Sequence, residues 1–314
     1  MKELGTYQNG NTITTIFDDG TKIHVTEDND FKYSYAESCD IQVSQCCDNG
    51  CEFCYAGCSS TGKHGDLTSW NFLHTMHPYT EIAINLQFPT PPDLMEFLYT
   101  MKAQNVFVNA TINQRHFMSE YGQQFIKFLY KMDLIKGIGI SLVDPTEEGF
   151  IDTVKEYPNA IIHVIAGVIK QHDIKYMMDK GLKLLILGYK HKGRGNNFYK
   201  NHMYDIEAKI YYLEQDIMRL TDHFEVVSFD NLALEQLHIQ DKVSEKDWEM
   251  FYAGDDGTVT FYIDLVEGTF ARSSLSEKHY PIGDLTIDGM FQVIQKEVSE
   301  MNSRKGLINY DNKR

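Results

Sequence analysis

Beyond residue 58 the sequence has no cysteine. All six lie between positions 39 and 58, so no disulfide can tie distant segments together as in small secreted domains. The first ten residues, MKELGTYQNG, lack the apolar stretch of a secretory signal. No apolar run approaches the roughly 20 residues needed to cross a bilayer; "LKLLILGY" is among the longest. Basic residues are few: 29 Lys and Arg face 45 Asp and Glu, a formal net charge of −16. An acidic surface repels phosphate backbones, which counts against general nucleic-acid binding but leaves room for a small anion at a local basic loop. Low-complexity linkers and short-period repeats are also missing. These absences describe a cytoplasmic globular protein with no membrane span. Its 314 residues, 42% hydrophobic and 24% charged, suffice for one large or two modest domains.

What is present begins as β structure. "TITTIF-DDG-TKIHVTED" predicts two strands around an Asp-Gly turn, an N-terminal β hairpin within residues 1–38. "CDIQVSQ" follows as a short strand. A βα rhythm then sets in: a helix at "LTSWNFLHTMH", a strand at "EIAINL", a helix at "PPDLMEFLYTMKAQN" and a strand at "VFVNATI". A helix over 115–132, a strand at "GIGISLV", a helix at "PTEEGFIDTVKEY" and a strand at "AIIHVIAGV" come next. After them stand a helix at "DIKYMMDKG" ended by Gly181, a strand at "LKLLILGY", a polar loop, a helix over 205–221, a strand at "FEVVSFD" and a helix at "NLALEQLHI". The strands read as apolar and not cleanly alternating, as strands buried on both faces do. About seven strands between 40 and 230 imply a parallel, nearly closed α/β barrel over residues 39–240. Residues 241–314 predict a C-terminal extension, a hairpin at "GTVTFYIDLVEGTFARSS" followed by a helix at "DGMFQVIQKEVSEMN".

The cysteines sit in "CCDNGCEFCYAGCSS", residues 46–60, with Cys39 just upstream. A reducing compartment and this crowding favour metal over disulfides. Cys51 and Cys54 form a plausible zinc knuckle that two of Cys39, Cys46, Cys47 and Cys58 would complete. The alternative is an iron–sulfur cluster. Cys47, Cys51 and Cys54 have the spacing C-x3-C-x2-C, with Phe53 directly before the third. Placed after "DIQVSQ" and before a βα series, this pattern resembles the radical S-adenosylmethionine (radical SAM) superfamily, whose motif is C-x3-C-x-aromatic-C.

The resemblance implies a partial parallel (β/α)6-type barrel with a [4Fe–4S] cluster on Cys47, Cys51 and Cys54. Three thiolates leave one iron open, and a tight loop, turned at Gly50, wraps the three corners. In the family that iron chelates S-adenosyl-L-methionine, whose reductive cleavage gives a 5′-deoxyadenosyl radical that takes hydrogen from substrate. Phe53 is expected near the adenine. "EIAINLQFPTPPDL" stands where the family has a glycine-rich strand end: Pro89-Thr90 fit, while Asn85-Leu86-Gln87-Phe88 replace glycines and a glutamate. Asn85 and Gln87 can offer oxygens to the cofactor's ammonium. Ser141 is the candidate for its ribose and Gly167 for the neighbourhood of its adenine; His163 reads as a core histidine. The basic loop "GYKHKGRGNN" puts Lys190 at the methionyl carboxylate, and Lys192 and Arg194 at an anionic group of a substrate. Asp264 reads either as a cover for the barrel mouth or as turn chemistry.

The substrate is expected to be a small molecule or a peptide, and the electron donor a low-potential carrier such as flavodoxin or ferredoxin. With no cysteine after 58, the auxiliary clusters of certain peptide-modifying relatives are excluded. Cys39, Cys46 and Cys58 have no role in the motif. A non-catalytic structural or sensory metal protein, with a four-cysteine zinc site or a degenerate cofactor site, is the second reading.

Overall fold

The computed structural model describes residues 1–311; residues 312–314, the end of the expected C-terminal extension, lie outside the described residues. β1 (Glu3–Asn9), β2 (Thr12–Phe17) and β3 (Lys22–Val25) form a three-stranded antiparallel sheet. The expected Asp-Gly hairpin is β2–β3, and β1 is a third strand the pattern did not separate.

The main sheet starts with β4 (Ser38–Gln42) and continues through β5 (Glu81–Leu86), α1 (Leu94–Ala103) and β6 (Phe107–Asn113). Next come α2 (Gln114–Met118), α3 (Glu120–Lys131), β7 (Gly137–Ser141), α4 (Phe150–Lys155), β8 (Ala160–Ile165), α5 (Gln171–Met177) and β9 (Lys183–Leu187). After them stand α6 (Arg194–Leu220), β10 (Val226–Phe229), α7 (Asn231–Gln236), α8 (Glu245–Phe251), β11 (Thr260–Asp264), β12 (Thr269–Ala271), β13 (Tyr280–Pro281) and α9 (Ile287–Asp311). The ten-stranded sheet has the order β10-β9-β8-β7-β6-β5-β4-β11-β12-β13. β4 to β10 are the seven expected strands, each parallel to the next.

The C-terminal hairpin extends the main sheet, since β11 pairs in parallel with β4, with Asp264 opposite Gln42. Two expectations change. Among the described residues the sheet is open, with no hydrogen bonds closing it into a barrel, and its edges are β10 and β13. The strands do alternate. Ile82, Ile84, Leu86, Val108, Ala110, Ile112, Ile162 and Val164 are buried in the apolar core, while Ala83, Asn85, Asn109, Thr111 and Asn113 are half-exposed on the other, inner face.

Helix ends follow local chemistry. The helix expected over 115–132 is two, because the Ser119 hydroxyl accepts from the Gly122 N–H at 3.0 Å and restarts the turn. α5 ends before Gly181, with Met178 already extended. "LTSWNFLHTMH" makes only one 3-10 turn, Asn71–His74. α6 starts eleven residues earlier than expected, inside the basic loop. No helix among the described residues is long and apolar enough to cross a membrane.

The N-terminal sheet closes the start of the main strands. Lys22 pairs with Glu81 at 3.3 Å. Buried Glu37 accepts from Tyr7 and Thr14 and meets His24 Nε2 at 2.8 Å. Burial opposes the charge on Glu37, but the His24 bond and the Lys22 ammonium outweigh it and hold the carboxyl below its ordinary range. A carboxylate held down in the fold stabilises it above the unfolded value and loses that contribution as pH falls through the folded one. The urea midpoint should therefore drop from about pH 5 downward, and Glu37→Gln should flatten that limb; an unchanged acid limb would acquit Glu37.

Candidate active site

The segment after β4 folds back on itself. Gln45 N–H donates to Lys63 O at 2.8 Å, Ser59 N–H to Gln45 O at 3.0 Å and Cys47 N–H to Ser59 O at 2.8 Å. At its tip, Cys54 N–H donates to Cys51 O and Gly57 N–H to Cys54 O, both at 3.2 Å. Gly50 has a φ of 63°, as the expected turn requires. The six cysteines are all free and divide into two sets. Cys47, Cys51 and Cys54 are partly exposed; Cys39, Cys46 and Cys58 are buried. Cys39 packs in the core on the outer face of β4, and the Cys46 thiol lies 3.6 Å from Ser60 O.

Three groups of contacts fix this loop. Asn85 accepts from Val43 N–H and donates to Ser44 O, both at 2.8 Å, while Gln87 Nε2 donates to Ser44 O at 3.0 Å. Both side chains therefore clamp the backbone that leads into the cysteines, and Leu86 between them is buried in the core. On the second side, His116 Nε2 meets Asp48 Oδ1 at 2.5 Å and Asn49 Nδ2 lies 3.1 Å from His116 Nδ1. Third, Arg194 donates from Nε to Cys51 O at 2.9 Å, from Nη1 to Cys58 O at 2.7 Å, and from its main-chain N–H to Cys54 O at 3.1 Å.

The thiols act on one another. Burial, then the Cys54 and Cys47 sulfurs, push Cys51 up, while the Arg115 guanidinium pulls it down. A hydrogen bond from Cys58 pulls Cys54 down, and the Arg194 charge helps; Cys58 rises in return. Three open thiols flanked by two guanidinium groups suit an anionic thiolate-bound cluster. Among the described residues, no three His, Cys, Asp or Glu side chains converge on a point that would hold a single metal ion.

The remaining candidates are spread around this loop. Phe53 stands edge-on to Phe198 of α6, ring centres 5.9 Å apart. Ser141 ends β7 on the inner face, level with Asn113 and His163. His163 lies across Gly139, and burial alone lowers it to about 4, so it is neutral. Gly167 has a φ of 81°, and a Cβ there would sit 2.6 Å from Ile206 of α6, which accounts for the glycine by packing. Burial works against the charge of Lys190, but Tyr55 and the carboxylates of Asp230, Asp40 and Asp256 hold it up. Its ammonium donates to Ser274 Oγ at 3.1 Å and lies 4.2 Å over the Tyr55 ring. Lys192 donates to Ser274 O at 2.6 Å. Asp264 accepts from Val266 and Glu267 N–H, which is turn chemistry. Sequence reading missed Asp48, Asn49, Arg115 and His116, none of which belongs to a recognisable motif. It also passed over Asp40, whose charge in mid-strand was the visible signal.

These contacts show how the sheet is shaped. On a flat sheet β9 would lie about 24 Å from β4. Yet Lys190, just past β9, is within electrostatic reach of Asp40 on β4, and Asn231, after β10, donates to Asp256 at 2.7 Å. The sheet curls, and loops rather than ladder bonds bring its ends together. Small or polar residues fill the inner face where a closed barrel would pack branched side chains, which leaves room for ligands at the strand ends.

No protein-family model and no curated protein matches the sequence. Solved structures do match in fold. Streptococcus suis SuiB superposes with a TM-score of 0.52 at 14% identity, over 82% of this chain and 65% of that one. This chain therefore spans less than two thirds of SuiB's length. Native anSMEcpe with bound AdoMet matches with a TM-score of 0.51 at 15% identity, over 81% of this chain and 80% of that one. The same protein with AdoMet and the Cp18Cys peptide matches at 0.50 and 13%. The matched structures are radical SAM enzymes, the superfamily the cysteine spacing resembles. At these identities the likeness is one of fold.

Proposed function

We propose that this chain is a radical SAM enzyme in which Cys47, Cys51 and Cys54 hold a [4Fe–4S] cluster that binds S-adenosyl-L-methionine. The observation that carries the reading is the division of the cysteines. The three with the motif spacing are the three that solvent reaches, at the tip of a loop over the open end of a curled parallel sheet. When bound, cluster and cofactor together supply a one-electron cleavage that yields a 5′-deoxyadenosyl radical able to take hydrogen from a substrate. The chain's own part is positional. Asn85 and Gln87 fix the start of the loop, Arg194 and His116 fix its tip, and Gln87 has a carbonyl oxygen to offer an ammonium. Ser141 and neutral His163 line the inner face as hydrogen-bonding groups without a charge of their own. Lys190, held by Ser274 and Tyr55, is a cation beside the loop.

The neighbour that binds AdoMet also takes a peptide, which supports a small molecule or a peptide as the substrate. A low-potential donor such as flavodoxin or ferredoxin would deliver the electron, in a cytoplasm that keeps the six cysteines reduced. The test is anaerobic reconstitution with iron and sulfide, reduction by dithionite, and addition of S-adenosylmethionine. 5′-Deoxyadenosine should form with about four irons per chain. Zinc in place of iron, or a full cluster with neither cofactor binding nor cleavage, would overturn the reading.

A further inference from the structure

The inner face carries polar groups that the cysteine loop does not use. Asp40 sits in the middle of β4, paired on one side with Ala83 of β5 and on the other with Tyr262 of β11. Its side chain is nevertheless exposed. A strand flanked on both edges can expose a side chain only through a face, and the outer face of β4 is in the core through Cys39 and Ile41. Asp40 therefore opens onto the space the sheet encloses. Among the described residues its carboxylate makes no hydrogen bond and no ion pair; the ammonium of Lys190 is turned to Ser274.

The next residue in the same row is Ala83, and beyond it Asn109 of β6. The Asn109 side chain leans away over Gly137 of β7, its Oδ1 2.9 Å from where a Cβ on that glycine would stand, so the methyl floor of Ala83 beside the free carboxylate is left uncovered. The row below is closed, because Lys22 of the N-terminal sheet covers Glu81. The strand end at Gln42 is two residues, about 7 Å, above, and the cysteine loop begins there. Asp is disfavoured within strands. Nothing in the packing of β4 asks for one, since Ala83 and Asn109 leave the space beside it unfilled.

We infer that Asp40 and Ala83 form a subsite for a protonated amine or guanidinium carried by the substrate. The carboxylate accepts from the cation, and the methylene next to it lies on Ala83. The rest of the molecule then points up the strands toward the cysteine loop. That the occupant is the substrate rests on the enzyme reading above; the subsite itself does not. The Asp230 and Asp256 carboxylates add to the attraction for a cation, and the Lys190 charge opposes it.

The experiment is calorimetric titration of the full chain with cadaverine, with 1,5-pentanediol as the neutral counterpart, before and after cluster reconstitution. Cadaverine should bind saturably, and the diol should not. Asp40→Asn, which keeps the shape, and Ala83→Val, which fills the floor, should each weaken cadaverine at least about tenfold, about 1.4 kcal/mol. Far-ultraviolet dichroism and urea midpoints check that both variants fold. Absence of saturable cadaverine binding, or equal binding by wild type and both variants, overturns the subsite. Because the cluster-free chain is titrated too, cadaverine binding through Asp40 in a chain that never takes up iron would sink the enzyme reading and keep the subsite. Cofactor cleavage without any preference for the cation would do the reverse.

Discussion

Alanine at Cys47, Cys51 and Cys54 together leaves the chain folded and strips it of iron. Wild type should carry about four irons and four sulfides after reconstitution, and the triple variant close to none. The reason lies in placement. These thiols are partly exposed at the tip of a loop whose backbone is held at its base by Asn85 and Gln87, and near its tip by Arg194. Removing three partly exposed sulfurs opens no sizeable cavity, so the thermal midpoint of the cluster-free chain should hardly move. The complementary triple variant, Cys39→Ala with Cys46→Ala and Cys58→Ala, should invert the pattern. Those side chains are 1%, 5% and 6% exposed, so stability falls by the cost of truncating buried groups, about 1 kcal/mol each, and most of the iron stays. Full iron in the first variant would remove the ligand assignment. Equal loss in both, with zinc bound, would restore the four-thiol knuckle, although Cys39 faces the core on the far side of β4 and cannot serve it.

The loop's chemistry was legible because motif spacing is local: Cys47, Cys51, Cys54 and Gly50 act within eight residues of one another. Seven parallel strands were legible because each is a short run of branched residues between helices. The two-faced nature of those strands was hidden by small residues. In "EIAINL" Ala83 counts as apolar, so the alternation between Ile82, Ile84 and Leu86 and the inner face looked broken. The pairing of β11 with β4 joins Thr260 to Ser38, and no local pattern encodes a contact over that separation. "LTSWNFLHTMH" has helical spacing of its apolar residues, but Leu67, Phe72, Leu73 and Met76 are satisfied by burial under the sheet without a helix. The packing of the basic loop was hidden as well. A Cβ on Gly193 would lie 2.3 Å from Tyr55 O and one on Gly195 2.6 Å from Lys190 O. They are glycines because the start of α6 is pressed against the cysteine loop.

That contact sets the second large effect. Sequence places Arg194 on a substrate anion; the structure turns its Nε and Nη1 to Cys51 O and Cys58 O. A bond from a charged donor contributes about 1.5–3 kcal/mol, so Arg194→Ala removes two of the strongest contacts at the loop tip. The main-chain bond from residue 194 to Cys54 O remains, as do the clamps at Asn85 and Gln87, so the variant should still fold, with a lowered urea midpoint. The tip that presents Cys51 and Cys54 should loosen. Iron content after reconstitution should fall to about a third of wild type or less, and a chelator should remove what is loaded at least about tenfold faster. Arg194→Lys should not restore it, because one ammonium cannot span two carbonyls as the guanidinium fork does. The two roles are separable in one variant. Normal iron with weakened binding of an anionic ligand would return Arg194 to substrate recognition, whereas lost iron in a folded chain makes it the brace of the cysteine loop. In the second case the terminal Nη2, which has no part in those two bonds, is the only portion of the side chain left for a ligand, and the anion-binding role passes to Lys190 or Lys192.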